Sequence, residues 1–284
     1  ELKDGFFAGG KLLDMPLAKK MLSYTWPILF LGIAGILNQT AGYIIFPYVY
    51  KDNDAHTQLG IFGAASKIAM IMSMITQAFR YAYEPFVFGK ARDKDNKETY
   101  ARAMKFFIIF TLLAFLVVMG YMDILRHIIG RDYWVGLKVV PIVMAGGIMT
   151  GVYFNLSFWY KLIDKTIWGA YFSGIGCAVI IGINVIFVPK YGYIACAWAG
   201  FLGNAPAMVL SYIVGQRKYP IAYPLKSIFV YVLIGGLFFA GITISNERLS
   251  VPLALTVNTI IILLFVAHVL YHDLPLIKIR RHKS

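Results

Sequence analysis

The residues best suited to chemistry in this sequence sit inside one of its most apolar stretches. Segment 59–88 is long enough to cross a bilayer, yet it carries Lys67, Arg80 and Glu84. On a helix at 100° per residue, Ser66, Ser73, Gln77, Arg80 and Glu84 fall within an arc of roughly 60°. A charged side chain at the centre of a bilayer costs at least ~2.5–3.5 kcal/mol on insertion scales, so such groups face a bundle interior or a wet cavity. Ile61, Ile68, Ile71, Ile75 and Phe79 take the opposite face, which suits lipid. Arg80 and Glu84 are spaced to pair along one helix face, either as a structural ion pair with a snorkelling arginine or as part of a site. Lys67 has no acidic residue one turn away in either direction. That points to a wet cavity or an anionic partner, with outward snorkelling as the plainer alternative.

Other polar residues are more sparsely placed. Asn38, Gln39, Thr40 and Tyr43 lie at mid-depth in the apolar run 21–50. Buried amides of this kind either hydrogen-bond to neighbouring helices or meet a polar cargo. In 139–160, Asn155 and Trp159 share a helix face and would offer a sugar a hydrogen bond and a stacking ring. Asn184, Asn204 and Asn258 are single polar residues in apolar runs, and structural roles suit them. His268 and His272 have the spacing of a metal pair, but a third ligand is missing, so they read as an interfacial anchor beside Asp273. Cys177 and Cys196 read as small core residues. There is no Gly-rich phosphate loop, no nucleophile elbow and no pair of intramembrane carboxylates. Neither a catalytic residue, a metal nor a cofactor is expected, and the chain does not read as an enzyme.

The elements that must position these residues follow from composition. The chain is 59% hydrophobic and only 14% charged, against about 25% charged in an average soluble domain. Apolar runs of spanning length fall at 21–50, 106–122, 139–160, 166–188, 193–214, 227–244 and 251–271, and the charged run 59–88 adds another. The expectation is an all-α polytopic bundle of eight spans. The formal net charge of +13 would suit nucleic acid, but its distribution argues against that partner. Lys3, Lys11, Lys19, Lys20, Lys90, Arg92, Lys94, Lys97, Arg102, Lys105, Lys161, Lys165, Arg217, Lys218, Lys226, Lys278, Arg280, Arg281 and Lys283 all fall on one side of the membrane. Only Lys51, Arg126, Arg131, Lys138, Lys190 and Arg248 fall on the other. This is the positive-inside bias. It places both termini in the cytoplasm and brings the basic residues to anionic lipid headgroups.

Three regions follow. Residues 1–20 suit a cytoplasmic interfacial segment; 21–214 form a six-helix lobe; 215–284 form a two-helix extension with a basic tail. The boundary is the proline-containing segment 215–226, and 89–102 reads as a solvated charged loop. Trp26, Trp159 and Trp168 are expected at the inner interface and Trp134 at the outer one. The glycines at 146, 147, 151, 174 and 176 suit close helix packing, and Pro206 suits a kink.

Three stretches carry a family resemblance: LSYTWPILFLGIAGILNQTAGYIIFPYVY, LGIFGAASKIAMIMSMITQAFRYAYEPFVF, and the run from YWVGLKVVPIVMAGGIMTGVYFNLSFWYKLIDK to YGYIACAWAGF. They resemble O-antigen-type polysaccharide-biosynthesis flippases of the multidrug/oligosaccharidyl-lipid/polysaccharide exporter superfamily, through nearly all of 20–225. Members typically have fourteen spans, in two six-helix lobes and often two extra helices. The resemblance therefore implies that this chain is the second lobe with the extra pair, and that a first lobe is absent from it. It implies alternating-access flipping of an undecaprenyl-diphosphate-linked oligosaccharide across a bacterial inner membrane. Lys67 and Arg80 would line a central cavity and attract the diphosphate. Members often have an acidic residue shortly after the NQT stretch; this chain has Gly42, so the resemblance provides no ion-coupling residue there. A multidrug or cation antiporter of the same superfamily is the nearest alternative, with Glu84 as the carboxylate available to it. A membrane-embedded polysaccharide-assembly enzyme or a non-transporting scaffold stand behind these.

Overall fold

The computed structural model describes residues 15–90 and 95–273, all of whose long elements are helical. Helix α1 is Met15–Val49, α2 is Ala55–Gly89, α3 is Asn96–Gly120 and α4 is Val140–Leu156. Helix α5 is Ile167–Tyr191, α6 is Tyr193–Lys218, α7 is Leu225–Arg248 and α8 is Val251–Asp273. Among the described residues, eight helical segments are long and apolar enough to cross a membrane, α4 being counted with its flanking turns. The expected interfacial segment at 1–20 lies outside the described residues up to 14, as do 91–94 and the basic tail from 274. The expected loop 89–102 is shorter than its charge suggested, because α3 already starts at Asn96. Its first turns carry the Glu98–Arg102 pair at 2.6 Å, a favourable spacing along one helix face.

Helices α1 and α2 are each 35 residues long, about 52 Å at 1.5 Å per residue. That exceeds a hydrocarbon core of about 30 Å, so both tilt or project beyond it. The connection expected at 123–138 is compact, made of Met122–Leu125, a 3-10 turn at Arg126–Ile128 and a longer one at Arg131–Val139. There Trp134 donates to the Arg126 carbonyl at 2.9 Å, and the Arg126 guanidinium lies 4.5 Å over its ring. Between α5 and α6 the chain reverses at Gly192, whose φ of +56° L side chains rarely adopt.

Helices α5 and α6 form the most extensive pair, and α1 packs on α5. Helix α4 lies between α6 and α2, while α7 and α8 dock on α3. Small residues set these approaches. A Cβ on Gly176 would sit 2.9 Å from the Gly203 carbonyl oxygen, whereas Gly174 has nothing within 4 Å. Gly176→Ala is therefore expected to force α5 from α6 and destabilise the protein by ~1–3 kcal/mol as an overpacking change. Gly174→Ala should be nearly neutral. Thermal unfolding in detergent reads the difference, and equal shifts for the two would refute this account of the α5–α6 contact.

The polarity of α2 runs opposite to the lipid-facing expectation. Ile61 and Ile68 are buried, and Ile71 and Phe79 pack against the main core. The outward residues are instead Lys67, Met70, Met74 and Tyr81. The cause is that α4 and the 131–139 turn cover the apolar face of α2, which turns its polar stripe toward α1. The segment after α6 is also more than a linker. Ile221 is buried with Tyr83, Tyr100 and Phe158, and Gln216 donates to its carbonyl at 2.7 Å. Burial raises the pKa of the neighbouring Tyr223 hydroxyl far above its ordinary range, so it stays protonated.

Candidate functional site

The polar stripe of α2 opens onto a cavity of about 450 Å³ walled by α1, α2, α4 and the short helix Phe158–Leu162, with Ser173 of α5 and Asn204 of α6 also lining it. Gln77, Arg80 and Glu84 enter from α2, Asn38 and Gln39 from α1, and Lys161 from the short helix. Each has a local reason to be there. Gln77, Arg80 and Glu84 are spaced by three and four residues, which keeps them on one face. Lys161 follows the helix break at Ser157, where the hydroxyl donates to the Phe154 carbonyl at 2.7 Å. The turn beyond it is closed by the Lys165 amide donating to the Tyr160 carbonyl at 2.8 Å, with Asp164 at φ 54°.

The charges are arranged unevenly. Lys161 Nζ donates to Glu84 Oε1 at 2.6 Å, while Arg80 Nε stands 3.8 Å from Glu84 Oε2. The Arg80 guanidinium lies 5.0 Å over the Phe154 ring, a cation–π placement. The Lys161 side chain is only 15% exposed, against 35% for Arg80 and 30% for Glu84. One carboxylate thus serves two cations and leaves the trio with a net positive charge. Asn38 Oδ1, Gln77 Oε1 and Arg80 Nε are buried without a hydrogen-bond partner among the described residues. Buried polar groups are ordinarily satisfied, and these three belong to residues that line the one cavity.

The other candidates lie elsewhere. Lys67 lines a separate cleft of about 570 Å³ with Tyr43, Ser66 and Tyr133, toward the 131–139 turn. It is about 20 Å along α2 from Arg80, by the helical rise. The stripe is therefore divided between two pockets, and Ser73, between them, is exposed and lines neither. Asn155 and Trp159 do not form a stacking face on the cavity. The break at Ser157 puts them on different helices. Asn155 is buried and donates back to the Gly151 carbonyl at 3.0 Å. Trp159 is 3% exposed, donates to Ser211 Oγ at 3.3 Å and packs with Tyr160, Trp168 and Phe172, so it is a core residue rather than a belt one.

Lys161 is the functional candidate that the sequence did not single out. Its partner is 77 positions away, and a lysine just after an apolar run reads as part of the basic flank. Gly42 sits at a close approach, where an added Cβ would lie 3.4 Å from Cys196 Cβ. Among the described residues no group of three His, Cys, Asp or Glu could hold a metal. Asp273 instead pairs with Lys105.

No protein-family model matches the sequence, and no curated protein matches it. The structure is similar to a crystal structure of the Vibrio cholerae MATE transporter VcmN in its bent form, with a TM-score of 0.63. The two share 14% sequence identity over 82% of this chain and 56% of that one. The fold is thus that of a MATE-like helix bundle, and the chain spans a little over half the length of that transporter.

Proposed function

We propose that this chain is the cation-bearing lobe of a lipid-linked oligosaccharide flippase that works by alternating access. The observation that carries this reading is the convergence of Arg80 and Lys161 with Asn38, Gln39 and Gln77 on one cavity. The two cations suit a diphosphate, and the amides suit sugar hydroxyls. The MATE-like fold supports the wider superfamily and fits a two-lobed transporter, of which this chain resembles one lobe with two added helices. The other wall would come from a first lobe facing α1 and the outward residues of α2. The basic ends of the helices would face the cytoplasm of a bacterial inner membrane.

A multidrug or cation antiporter of the same superfamily is the second reading, favoured by the likeness to a MATE transporter. Such a protein needs a carboxylate free to bind a cation, and Glu84 is already held by Lys161. Proteoliposomes containing the full-length gene product separate the two. Accelerated translocation of a fluorescent prenyl-diphosphate-linked saccharide, without efflux of ethidium, is expected. Ethidium efflux without saccharide translocation would replace the flippase reading with the antiporter one.

Lys67 has its own expected behaviour. Lying about 20 Å from the Arg80–Lys161 cavity along the helix, it would meet the headgroup at a later stage of transport. Lys67→Ala is expected to slow translocation roughly tenfold while changing farnesyl diphosphate affinity less than about twofold, since screening weakens charge effects over that distance. Loss of both together would place Lys67 in the same binding step as Arg80.

A further inference from the structure

We infer that Glu84 is a built-in stand-in for the cargo's anionic headgroup, occupying the cation pair between transport events and yielding it when cargo binds. The inference rests on reading this cavity as an anion site. Its basis is geometric. The two carboxylate oxygens of Glu84 face different cations: Oε1 accepts from Lys161 at 2.6 Å and Oε2 lies 3.8 Å from Arg80 Nε. Two oxygens bridging two cationic groups is the arrangement that a phosphate group would also present. All three side chains line the same cavity.

Lys161 is largely buried, and leaving such a charge unpaired is costly. Exchanging one anion for another avoids that cost in both directions. The incoming headgroup displaces Glu84, and the returning Glu84 helps to expel the headgroup. A transporter needs this balance, because a pair of unopposed cations would hold a diphosphate too tightly to release it. Glu84 would then set turnover by limiting affinity, a role different from contributing to cargo binding.

The test uses the full-length gene product in detergent with farnesyl diphosphate as the probe, alongside translocation in proteoliposomes. Glu84→Gln keeps the side-chain shape and removes the competing charge. It is expected to tighten probe binding roughly tenfold or more, a typical range for one charge-assisted contact, and to slow multiple-turnover translocation. Glu84→Asp draws the carboxylate back by one methylene and should shift both quantities the same way by less. It serves as the test if the glutamine variant is not recovered as a monodisperse protein. Unchanged or weaker probe binding in the variant tested would overturn the inference. Arg80→Gln and Lys161→Gln keep the two levels apart. If they weaken binding while the Glu84 variants do not strengthen it, the anion site stands and the stand-in role fails. If neither cation variant affects binding, the anion-site reading itself fails.

Discussion

If the chain flips a lipid-linked glycan as proposed, replacing Lys161 by methionine is expected to reduce that export by roughly 10–100-fold, the equivalent of a charge-assisted hydrogen bond of ~1.5–3 kcal/mol. Methionine keeps an unbranched apolar stem, so packing against the Phe158 ring, which the ammonium now approaches at 5.2 Å, is largely preserved. The electrostatic change is larger than the loss of one contact. Glu84 now divides its oxygens between Lys161 and Arg80. Without the lysine it is free to turn wholly to Arg80, which cancels the remaining positive charge. Lys161→Arg keeps the charge and should retain most of the export. Surface glycan measured in cells, normalised to protein abundance in the membrane, checks both variants. Normal export with methionine at normal abundance would remove the cavity from the mechanism.

Lys105→Ala is expected to loosen the α7–α8 pair from the rest of the bundle, at a cost of ~3 kcal/mol or more for stranding a buried charge. Lys105 on α3 pairs with Asp273 at the end of α8, and the two side chains are only 18% and 12% exposed. The second Asp273 oxygen accepts from Tyr231 of α7 at 2.5 Å. The other end of the hairpin has its own polar clamp. There Asn258 donates to the Gly120 carbonyl at 2.9 Å and to Asn246 Oδ1 at 2.7 Å, and the Tyr121 and Thr259 hydroxyls share a 2.9 Å hydrogen bond. With one clamp broken, the 219–224 segment should become more sensitive to protease and the melting temperature should fall. The double change Lys105→Met with Asp273→Leu should recover most of this loss, because it removes the stranded carboxylate with the lysine and leaves only the Tyr231 hydroxyl without its acceptor. A double variant as unstable as Lys105→Ala would mean that packing, not charge, holds the hairpin.

How far the fold was legible follows from particular segments. Apolar run length located each spanning helix to within a few residues at most ends, for example 193–214 against Tyr193–Lys218 and 251–271 against Val251–Asp273. The larger misses, such as the early start of α3 at Asn96, come from charged residues that continue a helix into the headgroup region, where hydropathy gives no signal. At the site, the α2 stripe was visible because Gln77, Arg80 and Glu84 are neighbours on one helix. Its division into two pockets was not visible, since it depends on where α1 and the 131–139 turn approach. The expected Asn155–Trp159 face failed because a helix break at Ser157 is a local event in an otherwise apolar run.

By itself the sequence determined that this chain is a bundle of membrane-spanning helices and that one of them carries charge on a single face. Both properties are local, additive sums over neighbouring residues, so they can be read without a partner. The tertiary structure decided which charges meet. Glu84 found Lys161 across 77 positions and Lys105 found Asp273 across 168, while Lys67 was left in another pocket. It also turned the isoleucine face of α2 inward, against the lipid-facing expectation. Those outcomes depend on the rotation of each helix and the depth of each approach. Close backbone contacts such as Gly176 on Gly203 fix both, and no single segment encodes them.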